Sequence, residues 1–327
     1  MGNRYLLLMG LAALLVGGGA ESATPPRPPA KQLRSFEYTE VHMGGQARLV
    51  VYAPSQAVAE DACRAAYKRI ADLEDVMSDY RPTSELMRLC AQSGGPPIHV
   101  MDDLFRVLQR AQRLAKLSNG AFDVTVGPYV ALWREARKTG VLPSPEALAS
   151  AAKFVGWRKV SLYPATHTVR LSVPGMRLDL GGIAKGYAGD EALKVLRRHG
   201  VTRAMYEAGG DIVVGDPPPG RKGWSIEVLS LRRGSKPRFT LLRNAAISTS
   251  GDTEQFVEVS GKHYSHVVDP HTGIGLVDRW AATVTGKLGM DTDSVSTALC
   301  VLGEPRAKEL LRKLPGMSAF LRKATVR

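Results

Sequence analysis

A glycine-rich stretch in the middle of the chain combines residue types that bind phosphate. Residues 179–187 read Asp-Leu-Gly-Gly-Ile-Ala-Lys-Gly-Tyr and stand directly before a segment with helical periodicity. Glycine lets the backbone approach a ligand, and a helix N-terminus offers unpaired N–H groups to an anion. Lys185 adds a formal positive charge. The stretch therefore predicts a diphosphate contact. Because its spacing matches neither a P-loop nor a dinucleotide fingerprint, a tight turn that packs a helix on a sheet is the alternative.

A carboxylate and a hydroxyl near the C-terminal end are spaced for one face of a helix. Asp293 and Thr297 stand four residues apart, with Ser296 between them. Oxygen ligands at this spacing suit Mg²⁺, which takes few protein ligands and keeps positions for water and phosphate. The alternative is a helix cap followed by a threonine that bonds back to its own helix.

One histidine, His266, stands just before a turn in a strand-like segment at residues 264–273. A histidine near a phosphate site is suited to act as a general base. The alternative is a half-exposed strand residue with no chemical role.

Hydrophobic periodicity predicts the elements that must position these residues. Helices are predicted over residues 56–77, from 84, over 102–117, from 144, after the glycine-rich loop to 200, and over 291–302 and 305–314. Strands are predicted over residues 36–52, in a hairpin at 159–173, and through much of 203–285. Asp102 or Asp103 is placed to cap the third helix. Because helices and strands mix without regular βαβ alternation, we predict an α+β fold rather than a doubly wound sheet.

The charge balance favours anionic partners but not nucleic acid. The chain has 327 residues, of which 44 are basic and 31 acidic, a formal net charge of +13. Such a balance attracts nucleotides, acidic proteins or anionic lipids, and it allows peripheral contact with a membrane. The basic residues are spread along the chain without an arginine-rich arm or an aromatic-basic stripe, which argues against nucleic-acid binding.

The N-terminus reads as a signal peptide. Arg4 precedes an apolar run at residues 6–16, and Gly18 and Ala20 are the small residues of a cleavage site. An uncleaved anchor is the alternative. Residues 21–34 hold four prolines between 25 and 29 and read as an extended tether, so residues 35–327 form the expected catalytic domain. No cysteine follows the apolar run to carry a lipid. We therefore predict an exported protein, periplasmic or at the outer face of the inner membrane.

The three cysteines, Cys63, Cys90 and Cys300, have no CxxC spacing, so a zinc site is not predicted. Their number allows one disulfide in an oxidising compartment.

Taken together and in this order, these segments resemble the ApbE family of FAD:protein FMN transferases. The resemblance runs over about residues 43–302 and rests on motifs at 77–86, 120–128, 178–187, 209–212, 249–251, 265–273 and 293–297. It implies a single T-fold-like catalytic domain with mixed, largely antiparallel sheets and packed helices. It also implies an enzyme that uses Mg²⁺, takes FAD as substrate, and transfers the FMN moiety to a threonine of an acceptor protein with release of AMP.

The resemblance also implies specific site residues. Contacts to FAD would fall on Met43, Tyr80, Ala121, Phe122, Asp123, Asp179, Lys185 and Val267. The metal would be held by the backbone carbonyl of Gly182 and the side chains of Asp293 and Thr297, with Ser296 nearby. His266 would be the catalytic base. One departure from the family pattern, Glu207 in place of an asparagine, puts an added carboxylate near the ligand side of the sheet.

Three functions remain open at this point. The first is protein flavinylation, with a membrane redox-complex subunit as the expected acceptor. The second is hydrolysis of FAD to FMN and AMP, with water in place of threonine. The third is FAD binding without catalysis, against which the Asp293–Thr297 pair and His266 argue.

Overall fold

The computed structural model describes residues 32–228, 238–251, 256–259, 261–278 and 280–323. Residues from Leu33 onward belong to one compact unit. The predicted signal segment and most of the tether lie outside the described residues. None of the described helices is both long and apolar enough to cross a bilayer.

Three of the seven described helices begin at a serine cap. The described helices are α1 (Gln56–Met77), α2 (Glu85–Ala91), α3 (Asp102–Leu117), α4 (Gly127–Thr139), α5 (Pro145–Ala152), α6 (Ala184–Arg198) and α7 (Gly289–Arg312). The side chains of Ser55, Ser84 and Ser144 accept hydrogen bonds from the backbone N–H three residues later, at the starts of α1, α2 and α5.

Half of the described strands belong to one large antiparallel sheet. The strands are β1 (Arg34–His42), β2 (Gly45–Ala53), β3 (Ile98–His99), β4 (Val160–Tyr163), β5 (Thr168–Leu171), β6 (Ala204–Ala208), β7 (Asp211–Val214), β8 (Trp224–Val228), β9 (Arg238–Leu242), β10 (Ala245–Ser250), β11 (Phe256–Val259), β12 (Lys262–Ser265), β13 (Trp280–Gly286) and β14 (Ser318–Lys323). Seven of them form a sheet in the order β1-β2-β6-β7-β10-β13-β14, in which all neighbours are antiparallel. Smaller sheets are formed by β3-β5-β4, β8-β9 and β11-β12. The predicted α+β fold is confirmed.

The large sheet lies between two layers because its side chains alternate. Leu49 and Tyr206 point to the face that packs against α1, α6 and α7 in the main core. Val50 and Met205, one residue away on the same strands, point to the other face, where the β8–β9 ribbon supplies Trp224.

The predicted cap of α3 is wrong. Neither Asp102 nor Asp103 caps α3, whose first residue follows Met101 without a side-chain cap. Asp102 instead pairs with His167 at 2.8 Å, and Asp103 accepts a 2.6 Å hydrogen bond from the hydroxyl of Tyr187 and pairs with Arg69. Tertiary partners have taken the carboxylates that the helix start could have used.

The helices near the end of the chain agree with the prediction. The span α7 consists of two helices that meet at a kink at Gly303, where φ is 65°, and they correspond to the helices predicted over 291–302 and 305–314. The strand β14 that follows was not predicted. All three cysteines are buried and none of them is in a disulfide, so the allowed disulfide does not form. Burial raises the pKa of the Cys63 thiol to about 12.

Candidate active site

The site is built where the N-termini of α6 and α7 cap one another. Asp190 of α6 accepts hydrogen bonds from the N–H groups of Gly289 and Met290, at 2.7 and 3.0 Å. Asp293 of α7 accepts one from the N–H of Gly186, at 3.0 Å. The backbones approach so closely that a Cβ on Gly186 would lie 2.0 Å from the carbonyl oxygen of Gly289. This close contact leaves no room for a side chain at position 186, which accounts for the glycine there. It also brings two predicted motifs together that are distant in the sequence.

A buried cluster of charge follows from this contact. The ammonium of Lys185 bonds to the carboxylate of Asp211, which is 3% exposed, and Asp293 is 2% exposed. Burial and the negative charge of Asp211 raise the pKa of Asp293 to about 7. Burial lowers the pKa of Lys185, but the carboxylates of Asp293 and Asp211 outweigh it, so the net shift is upward. Lys185 thus keeps its positive charge. A cation bound next to Asp293 would stabilise the ionised form of its carboxylate.

This cluster predicts how the stability of the protein depends on pH in the presence of a chelator. Because the folded pKa of Asp293, about 7, exceeds its ordinary 3.8, the folded state binds this proton more tightly than the unfolded state. The stabilisation of the folded state by this tighter proton binding is fully present below about pH 4, and it is lost as pH rises through about 7. We expect Asp293→Asn to become steadily more stable relative to the parent between those values, by at most about 1.4 kcal/mol per pH unit.

The measurement is urea unfolding at several pH values, with Asp72→Asn on the surface of α1 as control. A stability difference between parent and Asp293→Asn that does not change with pH would contradict this assignment.

The predicted metal ligands lie together beside this cluster. A Cβ on Gly182 would lie 3.1 Å from Oγ1 of Thr297, so the missing side chain leaves a cradle between the glycine loop and α7. Together with the buried Asp293, this offers one carboxylate, one hydroxyl and a backbone carbonyl, a donor set that fits Mg²⁺. The described residues contain no group of three acidic, histidine or cysteine side chains that could hold a metal. A metal here would therefore rely on water and substrate oxygens for its remaining ligands.

Ser296 is fully buried behind these donors. Its hydroxyl lies 2.6 Å from that of Ser250 and donates to the carbonyl oxygen of Asp293 at 2.8 Å. The hydroxyl of Thr297 lies 3.2 Å from the same Ser250 hydroxyl and 3.3 Å from the same carbonyl. The back-bonded threonine considered from the sequence is therefore present, and Ser250 of β10 holds both hydroxyls in place.

A second cluster centres on Arg134 of α4, which the sequence did not single out. Its guanidinium bonds to the carboxylate of Asp79 and, at 3.0 Å, to that of Asp179. The same group lies 4.1 Å from the ring centroid of Tyr80, which is 71% exposed. Burial and the nearby Asp79 raise the pKa of Asp179, and Arg134 opposes that shift. Arg134 thus joins two of the predicted FAD contacts, and only the spatial neighbourhood reveals it.

Removing this guanidinium should weaken FAD binding more than it slows chemistry. In Arg134→Met, Asp79 and Asp179 lose their common cation and Tyr80 loses the contact that covers one ring face. We expect the KM for FAD to rise about 10-fold or more, with kcat changed by less than about threefold.

The control for this prediction is Lys138→Met, an exposed residue one turn further along α4. Arg134→Lys should fall between the parent and Arg134→Met, because an ammonium does not bridge two carboxylates as a fork does. Steady-state kinetics that show the same KM for Arg134→Met and Lys138→Met would rule out this role.

Met43 lies in the tight turn between β1 and β2. Its φ is +53°, and its N–H donates to Glu74 of α1 at 2.6 Å. Glu74 also accepts from Arg81 at 3.0 Å, one residue after Tyr80. The turn is thereby tied to the segment that carries Tyr80.

The segment of Ala121, Phe122 and Asp123 is buried and its side chains point in different directions. The ring of Phe122 lies toward Gly182, where a Cβ would be 3.4 Å from it. The carboxylate of Asp123 accepts from the N–H and hydroxyl of Thr125 and, at 2.7 Å, from the N–H of Trp157. Burial raises the pKa of Asp123. Asp123 therefore supports the loop and also lines a cavity of about 370 Å³, together with Trp157.

His266 follows β12 and is exposed, while its neighbour Val267 is buried. The segment pairs with residues 274–276, and the indole of Trp133 on α4 donates to the carbonyl of Gly273 in the same turn at 2.7 Å. Since Trp133 precedes Arg134, α4 contacts both the His266 segment and the Asp179 loop.

Glu207 does not place an added carboxylate on the helix-packed face of the sheet. Its carboxylate pairs with Arg48, its cross-strand neighbour, with an Nε–Oε2 distance of 3.0 Å. Because adjacent residues of a strand face opposite sides, Glu207 lies on the face away from Tyr206 and the helices.

Comparison with known proteins identifies relatives over most of the chain. A sequence model of the ApbE family matches residues 43–321. An FAD:protein FMN transferase of Treponema pallidum (strain Nichols) is 32% identical over 306 residues, 88% of this chain and 84% of that protein. The structure of the flavin transferase ApbE from Vibrio cholerae superposes with a TM-score of 0.80 at 29% identity, covering 90% of this chain and 94% of the other. The apo flavinyl transferase ApbE of Pseudomonas stutzeri gives 0.80 at 26% identity, covering 90% and 93%.

Proposed function

The chain belongs to the ApbE family, and from this membership we propose that it is an FAD:protein FMN transferase. The hydroxyl oxygen of an acceptor threonine attacks the phosphorus of the FMN half of FAD. A new P–O bond joins FMN to the protein, and the bond between the two phosphates breaks, so that AMP leaves. The hydroxyl proton passes to a base and then to solvent.

The observation that carries this proposal is the pairing of a buried carboxylate with a glycine cradle at a helix N-terminus. Asp293, Thr297 and the carbonyl of Gly182 would hold Mg²⁺, with Ser296 supporting Thr297 through Ser250. When bound, the metal neutralises charge on the diphosphate, an effect worth several kcal/mol in such reactions.

The diphosphate is best placed beside Lys185. The side chain of Lys185 is 33% exposed, so its charge is accessible to a ligand. Its ammonium also bonds to Asp211, and this bond restricts the conformations of the side chain. The N-terminus of α6 adds the positive end of its dipole. Asp211 therefore acts as a positioning residue for Lys185.

His266 is the proposed general base. It is exposed on a segment held by α4, so an acceptor protein can reach it without entering the core. General-base assistance of this kind contributes about 10²–10⁴-fold.

The flavin or adenine ring is assigned to the Tyr80 side of the site. Tyr80 has one face over Arg134 and is otherwise exposed, which leaves its other face for stacking. Asp179, Met43, Val267 and the segment 121–123 complete the proposed FAD contacts.

One experiment tests the function. The full chain is incubated with FAD, Mg²⁺ and a threonine-containing acceptor, and the acceptor is weighed by mass spectrometry while free FMN is assayed. We expect the acceptor to gain one FMN, and an acceptor with valine in place of the threonine to gain none. Free FMN without acceptor labelling would indicate a pyrophosphatase, and neither product would indicate a binding protein; both outcomes overturn the proposal.

We further propose that the reaction takes place outside the cytoplasm, on a subunit of a membrane redox complex. The support is the N-terminal segment of residues 1–20, with its basic start and apolar run. Fractionation of cells that produce the full chain tests this location, and recovery only in the cytoplasm would refute it.

A further inference from the structure

The fold gathers basic residues at the end of the molecule where α6 terminates. The link before β6, the turn before β8 and the residues after β9 meet there: the N–H of Asp216 bonds to Thr202, and that of Asn244 to Gly215, at 2.9 and 3.0 Å. Arg197 of α6 donates to the side chain of Asn244 at 3.1 Å. We call this surface the basic end. It comprises Arg197, Arg198, Arg203, Arg221, Lys222 and Arg243.

Among the described residues, acidic groups compensate only a small part of the positive charge of the basic end. Five of its six side chains belong to exposed residues, and none of the six is ion-paired with a carboxylate in the described part of the chain. The acidic residue among them is Asp216, whose pKa is lowered first by its hydrogen bond from Asn244 and further by Arg203 and Arg197. Elsewhere on the molecule basic side chains are commonly paired, as Lys68 is with Asp72.

Two large apolar side chains border this charge. Phe239 and Leu241 are 62% and 63% exposed, on the outer face of β9, while Leu242 points inward to the core. Leu241 lies next to the turn before β8, because a Cβ built on Gly223 would lie 3.3 Å from the Cβ of Leu241. Arg243 continues the same outer face. An acidic residue, Glu227, is the cross-strand neighbour of Phe239, which lies two residues from Leu241 along β9.

We infer that the basic end docks on an anionic lipid bilayer, with Phe239 and Leu241 entering the interface. Basic residues close to an anionic leaflet each tighten binding by about fivefold, and exposed aromatic and aliphatic side chains add apolar burial. A protein partner would need a charge-depleted apolar core in its interface, which two separated side chains among six cations do not provide.

This docking would set the orientation of the enzyme. The basic end includes the C-terminal residues of α6, and the candidate active site lies at its N-terminus. A 15-residue helix is about 22 Å long, so the site would stand roughly that far from the membrane and face outward. Under the proposed function, this leaves it open to an extramembrane segment of the acceptor.

Vesicle co-sedimentation of the full chain tests the inference without any turnover. We compare vesicles of phosphatidylcholine alone with vesicles that hold about one quarter phosphatidylglycerol, at low salt and at about 0.5 M NaCl. The N-terminal segment contributes equally to vesicle binding in all variants. Binding to the neutral vesicles measures that contribution. We expect preferential binding to the anionic vesicles that high salt abolishes.

Three variants locate the surface. Combined Arg198→Ser, Arg221→Ser and Lys222→Ser should weaken anionic binding about 100-fold. Combined Lys68→Ser, Lys138→Ser and Lys308→Ser removes the same charge elsewhere and should change it by less than about threefold. Phe239→Ser with Leu241→Ser should weaken the binding that remains at moderate salt.

Equal losses in both charge triples would overturn the inference, and so would equal binding to the two vesicle types. Absence of all vesicle binding would also overturn it and would point to an acidic protein as the partner. FAD turnover, measured separately, should be unchanged in every variant, so a failure here is distinct from a failure of the proposed function.

Discussion

Replacing Asp293 with asparagine is expected to lower the rate of FMN transfer at least about 10³-fold while leaving the protein folded. Asparagine keeps an oxygen that can accept the hydrogen bond from the Gly186 N–H, so the cap on α6 survives. It removes the only carboxylate among the proposed metal ligands. The loss therefore falls on catalysis rather than on the contact between the two helices.

The measurement is acceptor labelling as a function of Mg²⁺ concentration, with a thermal melt of each protein. Asp72→Asn, on the exposed side of α1, serves as control and should retain full activity. Wild-type activity of Asp293→Asn at saturating Mg²⁺ would refute the metal assignment. A variant that does not melt cooperatively would be replaced by Thr297→Val, which removes the other side-chain ligand without touching the cap.

Replacing His266 with alanine is expected to separate binding from chemistry. The side chain is exposed and lies outside the hydrophobic core, so FAD affinity should change by less than about threefold. Transfer to the acceptor should fall by about 10²–10⁴-fold, the usual contribution of a general base.

His271→Ala is the matched control because it removes a nearby histidine from the same turn. His271 is held by Asp269, at 3.1 Å, and by the carbonyl of Asn119, at 3.0 Å, so its imidazole has a supporting role. We expect it to retain most of the transfer rate. Equal losses in both variants would show that the turn matters as a whole, and unimpaired transfer by His266→Ala would place the base elsewhere.

Much of the local structure was predictable from the sequence because local interactions decide it. The bounds of α1 and α3 coincide with the apolar periodicity of residues 56–77 and 102–117. Serine at positions 84 and 144 marks the starts of α2 and α5, since its side chain satisfies an N–H group that the helix itself leaves free. The hairpin of β4 and β5 also lies where alternation and a short turn predicted it.

The membership in the family was likewise contained in the sequence, because its motifs keep their order along the chain. The resemblance carried by the same motifs also led us to propose individual residues for the metal and FAD sites. The motifs contained no information on how Asp293 reaches Gly186, more than a hundred residues away, since no local periodicity encodes that contact.

Only the tertiary structure assigned partners to the charged side chains. Asp103 was available to cap α3 but is used by Arg69 and Tyr187, and Arg134 meets Asp179 only because α4 packs beside the glycine loop. The choice among such partners depends on burial, where an unpaired charge is costly, and burial is a property of the whole fold. The sequence therefore determined most of the elements and the family, and it predicted a chemistry for each motif. The tertiary structure decided which carboxylate is buried beside Lys185, which arginine lies over the ring of Tyr80, and where positive charge collects on the surface.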